Sequence, residues 1–248
     1  MRQTILITGA SSGLGWGMAT EFAAKGYDLA LCARRTSRLE ELRQELEVEN
    51  PASRVRIREL DVRDTEAVFD TFRGFRDDFG GLDRIIVNAG IGKGAPLGTG
   101  HVHANRETAE TNFVAALVQF EAALEIFRAQ NAGHLVAISS MGAMRGMPRK
   151  MTAYAASKAG LAALAEGVRV ELMNTPIRVS TIFPGFIRSP INEDVGRTPF
   201  IVDAEKGCRM LVRTIEQEPQ TACVPGWPWA PVGWLLRNLP LRLAARMM

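Results

Sequence analysis

Thr4-Ile5-Leu6-Ile7-Thr8-Gly9-Ala10-Ser11-Ser12-Gly13-Leu14-Gly15 stands near the start of the chain. Its first five residues are a short β-branched run ending in glycines, which reads as a buried strand. A helical pattern follows through Met18, Phe22 and Ala23 to Gly26. Where a strand turns through glycines into a helix, backbone N–H groups and the helix dipole favour an anion, and the glycines let a pyrophosphate come close. The spacing is Gly-x-x-x-Gly-x-Gly, unlike the common Gly-x-Gly-x-x-Gly. Gly9, Ser11, Ser12, Gly13, Leu14 and Gly15 are the candidate cradle; a tight turn without a ligand is the alternative.

The same rhythm continues outward. Tyr27–Ala33 reads as a second strand. Leu39–Val48 reads as a charged amphipathic helix with Thr36 or Ser37 as its N-cap. Arg54–Leu60 is a third strand, Asp64–Phe79 a helix and Leu82–Val87 a fourth strand. Strands alternating with helices argue for a parallel sheet covered on both faces. The second strand ends Ala33-Arg34-Arg35, with no carboxylate. An NAD site usually carries Asp or Glu there for the ribose 2′-OH, an NADP site Arg. Two guanidinium groups suit a 2′-phosphate, so NADP(H) is the expected cofactor. Solvated helix-entry charges are the alternative for both arginines. Asp61-Val62, after the third strand, is placed to meet an adenine ring, or is a loop carboxylate.

The chain has 248 residues, 46% hydrophobic and 23% charged, with a net charge of +3. That is the composition of a soluble globular protein, here read as one domain over residues 1–248. The charge is too small to suggest nucleic acid. Cys32, Cys208 and Cys223 are few and widely spaced, which fits a reducing cytosol and neither a disulfide framework nor a zinc site. No signal pattern and no spanning apolar stretch is apparent, so a cytoplasmic location is expected. His101 and His103 lack an evident third ligand, so no metal is expected. Gly90–Gly100 is glycine-rich but lacks Gly-Lys-Ser/Thr, and reads as a mobile loop.

Further on stands Thr152-Ala153-Tyr154-Ala155-Ala156-Ser157-Lys158, leading into a run of good helix formers. Residues four apart share a helix face, so Tyr154 and Lys158 point the same way. A free tyrosine has a pKa of about 10, and an ammonium beside it favours the phenolate. The pair is a candidate acid/base, although the same spacing is common on exposed helices.

With these residues in order, the chain resembles the short-chain dehydrogenases/reductases. The matches are Thr8-Gly9-x-x-x-Gly13-x-Gly15, Asp61-Val62, Asn88-Ala89-Gly90, Asn112, Ser139-Ser140, Tyr154-x-x-x-Lys158 and Pro184-Gly185. The resemblance implies a Rossmann-type, doubly wound parallel sheet of about seven strands in a three-layer α/β/α arrangement, with ligands at its switch point. It implies that residues 1–92 mainly bind the dinucleotide and 105–200 carry catalysis and substrate. By resemblance, Tyr154 passes a proton to or from the substrate oxygen, and Lys158 lowers its pKa and binds the nicotinamide ribose. Ser140 polarises the carbonyl, with Ser139 as the fallback. Asn112 holds a relay water or is structural, and Asn88 braces the sheet. The Ser140–Tyr154 separation is one residue longer than the family's, which a bulge near Gly146-Met147-Pro148 would absorb. Asn88, Ala89, Gly90, Pro184, Gly185, Ile187 and Ser189 would border the cofactor; Ser189 stands where the family usually has Thr. Met141, Met144, Met147 and Met151 flank the expected cleft, as pocket or as ordinary packing. The implied function is NADP(H)-dependent hydride transfer to or from an apolar carbonyl or secondary alcohol, in a homodimer or homotetramer. A nucleotide-binding sensor or scaffold of the same fold is the rival.

The tail, residues 225–248, holds three of the four tryptophans, with Arg237, Arg242 and Arg246 and no acidic residue. Tryptophan and arginine beside leucines compose an interfacial amphipathic segment, which would allow peripheral membrane contact. Breaks at Pro231 and Pro240 would make it two short helical pieces. Packing over the substrate cleft or a neighbouring subunit is the alternative.

Overall fold

Ile5, Leu6 and Ile7 are wholly buried, and the reason is their place in a sheet covered on both faces. The computed structural model describes residues 3–190 and 200–246. Its strands are β1 (Thr4–Thr8), β2 (Asp28–Ala33), β3 (Val55–Glu59), β4 (Arg84–Val87), β5 (Gly133–Ile138), β6 (Ile177–Pro184) and β7 (Thr221–Val224). All pair in parallel, in the order β3-β2-β1-β4-β5-β6-β7. Successive side chains of β1 face opposite ways. Ile5 and Ile7 join a core with Met18 and Phe22 of α1 (Gly13–Ala24), Leu39 and Leu42 of α2 (Thr36–Glu49), and Leu211 of α7 (Ala204–Glu216). Leu6 joins the other, with Phe72 and Phe75 of α3 (Thr65–Phe79), Phe120 and Phe127 of α5 (Ala115–Gln130), and Leu161 of α6 (Thr152–Glu171). The result is the expected three-layer, doubly wound fold. Because β1 lies between β2 and β4, the chain reverses direction across the sheet there, and a crevice opens at the C-terminal ends of these strands.

Two local expectations need correction. Helix α2 starts at Thr36, so neither Thr36 nor Ser37 is its N-cap; that position is Arg35. Thr36 instead donates its hydroxyl to Glu59 Oε2 at 3.1 Å. Next to β4 in the chain come α4 (Val102–Ala109), a π-helical turn (Glu110–Val114) and α5 in series. The π-turn carries Asn112, and such turns are frequent at functional sites. In the tail, Pro231 does not break α8 (Gly226–Asn238). Trp227 is non-helical, so Pro231 falls in the first regular turn, where missing an N–H costs little. Pro240 does end the helix; α9 (Leu241–Ala244) follows.

Helix α3 shows how the ends are fixed. The Asp64 carboxylate accepts from Ala67 N at 3.1 Å, and Gly80, at φ 78°, closes the other end. Asp64→Ala should lower the unfolding free energy by about 1 kcal/mol, read from urea denaturation with an unchanged m-value.

Candidate active site

The glycine turn between β1 and α1 is built by close approach. A Cβ on Gly15 would lie 2.4 Å from Gly9 O and 2.7 Å from Asn88 Nδ2. Gly9 and Gly13 have φ of 69° and 57°, which favours glycine. Asn88 Nδ2 donates to Thr8 O at 2.9 Å, and Thr8 Oγ1 accepts from Asn88 N and Ala89 N, both at 3.1 Å. The end of β4 is thereby tied to the end of β1 at the crevice. Ser189 and Pro190 come alongside: a Cβ on Gly13 would stand 3.6 and 3.5 Å from them.

Arg35 donates to Ser11 Oγ (3.1 and 3.2 Å) and to Ser12 Oγ (2.6 Å), linking the end of β2 to the turn. Arg34 is exposed beside it. Asp61 accepts from Arg63, whose guanidinium holds the carboxyl below its usual range, with Arg34 adding to the effect. Val62 is buried.

The second group gathers at the end of β5. Ser140 caps a 3₁₀ turn (Met141–Ala143), its Oγ accepting from Gly142 N at 3.1 Å. A Cβ on Gly142 would stand 3.5 Å from Ser140 Oγ and 3.5 Å from Tyr154 Cε1, so only a glycine's width separates the two. Between them run Met144–Pro148 and a 3₁₀ turn (Arg149–Met151) in which Arg149 has φ 58°. Ser139 is turned away; its Oγ donates to Lys158 O at 2.9 Å. Lys158 is 4% exposed, and its Nζ donates to Ile138 O at 2.9 Å. Gly90 lies between Asn112 and Lys158: a Cβ there would be 3.1 Å from Asn112 Oδ1 and 3.2 Å from Lys158 Nζ. Asn112 itself is fully engaged. Its Oδ1 accepts from Ile91 N (2.8 Å), and its Nδ2 donates to Ile91 O (2.9 Å) and Ser157 Oγ (3.2 Å).

Burial pushes the Tyr154 hydroxyl above its ordinary pKa, with the adjacent Ser140 hydroxyl pulling the other way. The sequence led us to expect a lowering by Lys158. In this structure that ammonium is turned to the Ile138 carbonyl, and burial lowers its own pKa to about 8.

Beyond β6, Gly185 N donates to Val224 O at 2.9 Å, and buried Ile187 bridges to Val202. The sequence left the tail's part open. In the structure Trp229, Gly233 and Leu236 of α8 are buried, while Trp227 and Trp234 are 81% and 65% exposed. Arg145 Nη1 donates to Leu236 O (3.2 Å) and Arg237 O (3.1 Å), fastening α8 to the loop after Ser140. The role of Arg145 had no signal in the sequence, because its partners are backbone carbonyls 91 and 92 residues away. Among the described residues, no helix is long and apolar enough to cross a membrane, and no group of three or more His, Cys, Asp or Glu could hold a metal.

A family model described as short chain dehydrogenase matches residues 3–199. The chain belongs to that family. It is an oxidoreductase of the short-chain dehydrogenase/reductase class, which acts on CH–OH and C=O groups with nicotinamide cofactors. An uncharacterized oxidoreductase of Mycobacterium tuberculosis is 54% identical over 99% of this chain and 97% of its own. The solved levodione reductase has the same fold, with a TM-score of 0.82 at 24% identity over 92% of this chain and 98% of that one. The NADPH-dependent 3-quinuclidinone reductase of Rhodotorula rubra matches at a TM-score of 0.75 and 26% identity, over 87% and 84%.

In this short-chain dehydrogenase, kcat/KM for the cofactor reports the cofactor-free protein. It should fall as pH rises through about 8, where buried Lys158 loses its charge. Lys158→Arg, permanently charged, should lose that limb. A pH series for both proteins checks this.

Proposed function

We propose that the protein is an NADP(H)-dependent reductase of apolar carbonyl compounds, or the oxidase of the matching secondary alcohols. The observation that carries this reading is the meeting of Ser140 and Tyr154 across Gly142, beside the buried Lys158, at the strand ends that also hold the glycine turn. The residues fit a dinucleotide. The cradle of Gly9, Gly13 and Gly15 leaves backbone open to a pyrophosphate at the N-terminus of α1. Exposed Arg34, with Arg35 fixed on Ser11 and Ser12, provides positive charge where an adenosine 2′-phosphate would lie, and β2 ends without a competing carboxylate. The printed cofactor dependence of the quinuclidinone reductase agrees with that choice.

A reduced nicotinamide bound there supplies the hydride. Ser140 donates a hydrogen bond to the substrate carbonyl oxygen and polarises it. Tyr154 donates its hydroxyl proton to that oxygen as negative charge develops. Its raised pKa keeps it protonated and ready as an acid. The resulting phenolate is stabilised by the Lys158 ammonium, released from Ile138 O, until solvent returns the proton. Asn112 positions this group: it locks Ile91 and Ser157, and so the walls on either side of Lys158. The free thiols, all with pKa values raised by burial, support a reducing, cytoplasmic setting. Exposed Val114, Leu117 and Val170 on the outer helices support pairing between copies in a dimer or tetramer, which light scattering would read.

Tyr154→Phe should lower turnover of a reducible ketone roughly a hundred-fold or more while leaving NADPH binding intact. Near-normal turnover in that variant would overturn the assignment of the proton donor to Tyr154. Arg34→Ala should lower kcat/KM by about 1.5–3 kcal/mol with NADPH and little with NADH. A wild type that favours NADH would overturn the cofactor assignment.

A further inference from the structure

Helix α8 packs against the turn that follows Ser140 and against Gly185. Trp229 is 6% exposed, and its ring lies over Gly185 so closely that a Cβ there would stand 2.2 Å from Nε1. It shares a cluster with Met141 and Phe183, against which Met144, Ala162, Phe186 and Val232 pack. Phe186 meets the indole edge-on at 5.3 Å. Each of these contacts leads back to the reacting groups. Met141 follows Ser140. Ala162 lies one turn beyond Lys158, on the face that carries Tyr154. Gly185 follows the last residue of β6. Gly233, one turn along α8 from Trp229, approaches Met141 so closely that a Cβ would be 2.9 Å from its Cε. Arg145 fixes the far end of the helix.

The indole Nε1 is buried without a hydrogen-bond partner among the described residues. An unpaired buried N–H is unfavourable, and phenylalanine would avoid it. What the position uses is the bulk of the ring.

We propose that Trp229 is the specificity-determining residue of this site. Its ring fills the α8 side of the substrate pocket and limits the carbonyl substituent there to hydrogen or a short alkyl group. The substrate class is then apolar aldehydes and methyl ketones, with the larger substituent directed away from α8. This rests on the reductase reading of Ser140 and Tyr154.

The test is a graded series: benzaldehyde, acetophenone, propiophenone and butyrophenone. Binding of each to the protein–NADPH complex is measured by calorimetry, and turnover by loss of NADPH absorbance. In the wild type, affinity should drop by about tenfold or more between acetophenone and butyrophenone, the scale on which a fitted apolar pocket senses methylenes. Trp229→Leu and Trp229→Ala should remove the drop, and Trp229→Phe, smaller than the indole, should give an intermediate one. Thermal unfolding of each variant confirms that it is folded, and Trp229→Leu carries the comparison where the alanine variant is not. A flat series in the wild type, or the same drop in Trp229→Leu, overturns the proposal. A drop that moves with Trp229 while no compound in the series is reduced leaves the wall in place and removes the reductase reading.

Discussion

At the switch point there is no room for a side chain. Gly15 lies so near Gly9 O and Asn88 Nδ2 that a single methyl group would collide with both. That closeness brings the N-terminus of α1 onto the ends of β1 and β4, and Thr8 Oγ1 and Asn88 complete the knot. Everything else in the site is measured from it. The third glycine of a dinucleotide turn serves helix–strand packing, and here its neighbour across the crevice is an asparagine side chain. The glycine turn and the end of β4 are therefore tied together, on strands buried on both faces.

The ionisable groups of the candidate site are governed by a contest between burial and charge. Lys158 is removed from water, which lowers its pKa, and its remaining bond is to a backbone carbonyl. Tyr154 is raised for the same reason. Burial disfavours both charged forms, the ammonium and the phenolate, so each is unfavourable alone. A proton leaving Tyr154 creates the partner that a buried ammonium lacks. Gly90 and Gly142 leave space beside these groups, while Asn112 holds Ile91 and Ser139 holds the Lys158 carbonyl. The π-turn at Glu110–Val114 is what directs Asn112 inward from an otherwise regular pair of helices.

The tail is divided in its use. Trp229 joins the cluster of Met141 and Phe183, and Gly233 and Leu236 are buried, whereas Trp227, Trp234 and Leu241 remain exposed. Composition could not separate these two halves, because a helix with apolar residues on several sides gives the same sequence whether one side or none is covered. Arg145 decided it through carbonyls of the last turn of α8, a type of contact that leaves no mark on residue type.

The sequence by itself determined the fold. Strand runs, glycine turns and helical patterns recur in an order that only a parallel, doubly covered sheet accommodates, and strand limits agree to within a residue or two. It also placed residues within one element: Tyr154 and Lys158 one turn apart on α6, and Gly9, Gly13 and Gly15 in the turn they require. Tertiary structure alone decided which serine of Ser139-Ser140 faces Tyr154, since both sit at the end of one strand and only the carbonyl of Lys158 claims the first. It decided the direction of the Tyr154 shift, because burial is summed over the whole surroundings and spacing reports one neighbour. It also decided that Trp229 lies against Gly185, 44 positions earlier, because α8 returns along the end of β6. Contacts within one helix or turn follow from local geometry; contacts between distant segments follow from packing, which no local pattern encodes.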